Sequence, residues 1–67
     1  MMKLIVNGEE TELEDGATVG RLLQKLNPGT ARVAVLVNDT VVKAENREVY
    51  ILKDGDRVEL LTFAGGG

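Results

Sequence analysis

One stretch of this sequence, and only one, carries a sustained helical period. Val19, Leu22, Leu23 and Leu26 fall at i, i+3, i+4 and i+7 and make a single apolar stripe, leaving Arg21, Gln24 and Lys25 to face water. Elsewhere the apolar residues alternate. Leu4 and Val6 share one face against Lys3 and Ile5; Val33, Val35 and Val37 share one against Ala34 and Leu36. Near the end, Val58, Leu60 and Thr62 oppose Arg57, Glu59, Leu61 and Phe63. One amphipathic helix among several alternating segments buries both patterns by lying across one face of a sheet, which predicts an α+β layer pair.

Turn chemistry divides the sheet into strands. Asn7-Gly8 is the strongest hairpin signal, because both residues tolerate positive φ, and it joins predicted strands 2–7 and 9–14. The second of these is acidic, as suits an edge that must discourage further pairing. Asp15-Gly16 turns the chain, and Thr18 is a good N-cap for the helix. Gly20 sits in its first turn, and Asn27-Pro28-Gly29 stops it, since the residue before a proline avoids the helical region.

The β-branched run "RVAVLV" predicts a central strand, and Asn38-Asp39 turns it into a short strand over 40–42. Residues 43–50 are polar and irregular, with room for one helical turn, before Ile51 and Leu52 return to the core. A turn at 53–56 leads to the last strand, 57–63. The helix between the hairpin and the next long strand suggests a crossover, right-handed if that strand pairs beside the first in parallel.

With 67 residues the chain is one thin-cored domain, and nearly every apolar side chain is needed for the fold. There is no Cys and no His, which removes the usual zinc ligands, thiol nucleophiles and imidazole bases, so no catalytic or metal-ligating residue is expected and the chain reads as a non-enzyme. The net charge is −3, the basic residues are scattered, and only Tyr50 and Phe63 could stack on bases, which argues against nucleic acid. No apolar run approaches the ~20 residues that span a bilayer, and a cytoplasmic location is expected. Asp54 and Asp56 could in principle do acid–base work, but they flank a turn glycine and read as turn residues.

The sequence closes on "FAGGG". In register with "VNG", "DGATVGRLL", "VAVLVN" and "LKDGDRVELL", that ending resembles the ubiquitin-like sulfur carriers of the ThiS/MoaD family over essentially the whole chain. The resemblance implies a β-grasp (ubiquitin-like) fold, here a mixed sheet of four to five strands with one helix packed across it. It divides the chain into a β-grasp domain at 1–63 and a flexible glycine tail at 64–67.

The family chemistry it implies is sulfur delivery in thiamin (thiazole) biosynthesis. A ThiF-like adenylyltransferase uses ATP to adenylate the terminal carboxylate, here that of Gly67. A sulfur donor relay converts the adenylate to a thiocarboxylate, which donates sulfur to a ThiG-like thiazole synthase. The carrier, a monomer when free, binds no cofactor itself.

The residues are physically suited to that role. Gly65, Gly66 and Gly67 carry no side chain, so they can thread a narrow channel. Ala64 to Gly67 spans roughly 13–14 Å when extended. In such carriers the first, third and last strands are sheet neighbours. The resemblance therefore places Phe63, Leu61, Ile5, Leu36 and Ala34 in one apolar patch, away from the helix, that docks the partner enzymes. Two alternatives share the fold: a carrier for another pathway (molybdopterin synthesis, tRNA thiolation, cysteine synthesis) and a non-reactive β-grasp interaction domain.

Overall fold

The computed structural model describes residues 1–26 and 32–63. Strands β1 (Met2–Val6) and β2 (Glu9–Leu13) form the expected antiparallel hairpin, with Leu4 opposite Thr11 and Val6 opposite Glu9. The two-residue turn works because Asn7 and Gly8 take φ of 49° and 84°, the handedness that matches the twist of the flanking strands.

Helix α1 (Val19–Leu26) begins where the Thr18 hydroxyl predicts. Thr18 Oγ1 accepts the Arg21 amide at 3.2 Å. The two preceding amides, which a helix start would otherwise leave unpaired, donate to the carbonyls of Tyr50 (from Val19, 3.0 Å) and Arg47 (from Gly20, 2.9 Å). The polar 43–50 segment is thus the socket for the helix N-terminus. It contains the single 3-10 turn expected there, Ala44–Asn46. A Cβ at Gly20 would lie 2.6–2.8 Å from the Glu48 carboxylate, the far end of an exposed side chain that can swing aside.

Strands β3 (Arg32–Val37), β4 (Thr40–Val42) and β5 (Arg57–Phe63) complete a five-stranded sheet of order β2-β1-β5-β3-β4. The first, last and third strands are neighbours, as anticipated. Strand β3 does not pair beside β1, however. Strand β5 inserts between them, parallel to β1 and antiparallel to β3, so the parallel connection is β1 to β5.

A second expectation fails at Ile51. It is 58% exposed while Leu52 is buried, because residue 51 makes an isolated bridge to Thr18 and alternation then turns only residue 52 inward. The predicted helix stop at Asn27–Gly29 lies outside the described residues.

The core fills the space between α1 and one sheet face. Leu4, Val35, Val37 and Val58 from the sheet meet Val19 and Leu22 from the helix, closed by Leu13 and Leu52, all essentially inaccessible. Each such side chain contributes about 1.5–3 kcal/mol relative to exposure. Because β4 has only three residues, the first half of β3 has no partner on that edge. There the Arg47 guanidinium donates to the Val33 carbonyl, an acceptor β4 is too short to reach.

Candidate functional site

The strand registers determine what the other face displays. Leu61 stands opposite Ala34, Phe63 opposite Arg32 and Glu59 opposite Leu36 across β5 and β3. On the far side of β3, Leu36 faces Val41. Phe63, Leu61 and Val41 are 53%, 49% and 62% exposed, while Ala34 and Leu36 are half-buried between them. These residues form one apolar strip on the face turned away from the helix, running diagonally from the last residue of β5 across β3 to β4.

Four of the five residues expected in this patch are therefore brought together. Ile5 is displaced from them. It is half-buried on the same face but lies beyond β5, opposite Arg57, so the charged Arg57–Glu59 row separates it from Leu36. Val41 was missed, although the signal was present: a two-residue turn at Asn38-Asp39 pairs 37 with 40, hence 36 with 41, on a common face. Toward β2 the same face becomes acidic, with Glu10 opposite Ile5 and Glu12 opposite Lys3.

The carboxylates are occupied in structure. Asp56 accepts from the Lys53 amide (2.8 Å) and the Asn38 side chain (3.0 Å), and Asp54 accepts from the Lys3 amide (2.8 Å). These bonds pin the 53–56 turn to β1 and to the β3–β4 turn. Glu14 bonds Arg21 at 2.7 Å. Its carboxyl is held below the usual range first by a backbone hydrogen bond at Glu14 itself and then by that Arg21 bond.

Among the described residues no cluster could hold a metal ion, and no helix is long and apolar enough to cross a membrane. The hollows beside the sheet are open, of about 300 Å³. What the described surface offers is an apolar strip that reaches the end of a strand. Beyond that strand, Gly65, Gly66 and Gly67 lie outside the described residues.

Comparison with known proteins agrees with this geometry. The ThiS family model matches residues 3–67. The chain belongs to the ThiS family. The sulfur carrier protein ThiS of Escherichia coli is 30% identical over 66 residues, covering 98% of this chain and 100% of that one. A crystal structure of the thiamine biosynthesis protein ThiS from Geobacter metallireducens superposes with a TM-score of 0.83 at 38% identity, covering 98% of this chain and 100% of that one. The β-grasp fold of this family is thus the fold seen here.

A thiazole synthase of Paramagnetospirillum magneticum is 38% identical over 66 residues, which are 98% of this chain but 20% of that protein. The chain therefore spans about a fifth of the length of the thiazole synthase it matches.

Proposed function

We propose that this chain is a sulfur carrier of thiamine biosynthesis whose working group is the α-carboxyl of Gly67. The observation that carries the reading is the extent of the family match, which runs through residue 67 and so includes the glycines as part of the family pattern. A carboxylate is a poor acyl donor. A ThiF-like enzyme lets it attack the α-phosphorus of ATP, releasing pyrophosphate and leaving an acyl-adenylate. Sulfide-level sulfur (HS⁻) handed over by the donor relay attacks the acyl carbon, AMP departs with the electron pair of the broken bond, and a C–S bond stands where the C–O bond to AMP stood. As that sulfur passes to the thiazole precursor, the acyl carbon takes an oxygen in exchange, from water or from the acceptor, and the carboxylate is regenerated. The carrier supplies the acyl terminus and its presentation, and ATP binds to the activating enzyme.

The assignment of thiazole synthase as acceptor draws support from relatives of that name containing a segment like this chain. Joining a carrier to the enzyme that consumes its sulfur replaces a bimolecular encounter by an intramolecular one. Residues 1–63 act as the docking body and 64–67 as the tail. The Phe63–Leu61–Ala34–Leu36–Val41 strip seats both enzymes, and Ile5 contributes from the margin.

The test is intact-mass spectrometry after incubation with ATP, a ThiF-like enzyme and a sulfur donor. A mass gain equal to sulfur replacing oxygen, mapped to the C-terminal peptide, is the expected result. An unchanged mass, or sulfur delivery that survives amidation of Gly67, overturns the proposal.

A further inference from the structure

Strand β5 outruns β1. The parallel ladder ends at Val6 opposite Val58, because Asn7 leaves the strand with positive φ. The last main-chain bond on this edge is Asn7 N–H to the Val58 carbonyl, at 2.9 Å. The next peptide groups of β5 on that edge belong to Leu60, and β1 has no backbone left to meet them.

The Asn7 carboxamide meets them instead. Its Oδ1 accepts the Leu60 amide at 2.8 Å, and its Nδ2 donates to the Leu60 carbonyl at 3.4 Å. One side chain thus presents the acceptor–donor pair that a neighbouring strand would present. Past Leu60, among the described residues, β5 is paired only on its other edge, where Leu61 and Phe63 stand opposite Ala34 and Arg32.

Resting on the sulfur-carrier reading above, we propose that Asn7 is a positioning residue: its carboxamide clamps β5 at Leu60 and sets the direction in which the strand leads toward the reactive terminus. From Leu60 to Phe63 the strand spans about 10–11 Å, so a change of about 10° in exit direction displaces the point where the tail begins by about 2 Å. Misplacement of about 1 Å at a reacting centre is enough to cost on the order of 10²-fold in rate. Docking through the Phe63–Leu61 strip then delivers the tail only when the strand leaves the body at the angle the clamp holds.

The test uses Asn7→Gly, which keeps the positive-φ turn without strain and removes the clamp while loosening the unfolded chain slightly, alongside Asn7→Asp, which keeps the acceptor and loses the donor. Three quantities are read: amide exchange at Leu60, affinity for the ThiF-like enzyme, and ATP-dependent pyrophosphate release. For Asn7→Gly, faster exchange at Leu60, affinity within about twofold of wild type and turnover lower by about five- to tenfold are expected. Asn7→Asp should fall between. Wild-type turnover in Asn7→Gly, or exchange at Leu60 left unchanged, overturns the clamp while the carrier function stands. Affinity and turnover falling together with a lowered Tm reassigns Asn7 to structure alone and also overturns it. Absence of pyrophosphate release from the wild-type chain overturns the carrier reading, and the clamp with it.

Discussion

The two faces of the sheet are drawn from the same strands and have opposite fates. In β3, Val35 is completely buried while Leu36 beside it is partly open; in β5, Val58 is buried while Leu61 is 49% exposed. Alternation supplies apolar residues to both faces, but the described part of the chain supplies one helix, and α1 covers one face. The helix side is apolar because the fold requires it. The open side is apolar at Phe63, Leu61, Leu36 and Val41 without that requirement, and small proteins rarely display a contiguous apolar strip that has no contact to make. On the function proposed above, stability and recognition are separated across the thickness of a single sheet.

The sharpest way to break this contrast is to substitute on both sides. Leu4→Ala, at a position with no solvent exposure, should cost about 2–5 kcal/mol in urea unfolding. A domain of this size has only about 3–10 kcal/mol to lose. Phe63→Asp should leave the unfolding midpoint nearly unchanged and weaken the complex with the activating enzyme by about tenfold or more. If Phe63→Asp unfolded the domain, the open face would be part of the core and the contrast between faces would vanish.

Most of this division was legible in the sequence, because period-two alternation and two-residue turns are local signals. Asn7-Gly8 and Asn38-Asp39 each place both residues at positive φ, as their chemistry predicts, and each sets a strand register. What alternation does not encode is which strands become neighbours. That β5 enters between β1 and β3 follows from long-range pairing, and it is why Ile5 is parted from Leu36 by Arg57 and Glu59. The outward turn of Ile51 has the same origin: it depends on the 47–50 segment docking on the helix start, a contact between segments far apart in the chain. The Asn7 clamp escaped notice because Asn-Gly already explains its own turn, leaving no residue-level hint of a second task.

That docking gives a smaller lever on the sealed side. Thr18→Ala removes the acceptor of the Arg21 amide while the Tyr50 and Arg47 carbonyls still hold the two preceding amides. The expected cost is about 1 kcal/mol, read as a lower unfolding midpoint. Partner affinity should not change, since Thr18 lies away from the strip. A loss of affinity in Thr18→Ala would show that the helix entrance also touches the partner, and recognition would no longer be confined to one face.

The smallest expected effect is electrostatic and confined to the helix side. Glu14 has its pKa lowered in the folded chain by a backbone hydrogen bond at Glu14 and by the bond from Arg21. Between the depressed folded value and the ordinary glutamate value of about 4.3, the unfolded chain holds more protons than the folded one, so stability falls as pH falls. The contribution is complete above the ordinary value and is lost as pH drops through the folded one. The pair is half-exposed, so salt screens it and the change is slight. Glu14→Gln should lower the midpoint slightly at neutral pH and converge with wild type in acid. High salt should narrow the gap in the same way. If the gap widened on acidification, Glu14 would be stabilising the fold as a protonated donor, and its bond to Arg21 would not be the ion pair seen here. Because Glu14 and Arg21 join the end of the hairpin to the helix, this titration should leave binding through Phe63 and Leu61 untouched, the separation of faces tested at its finest grain.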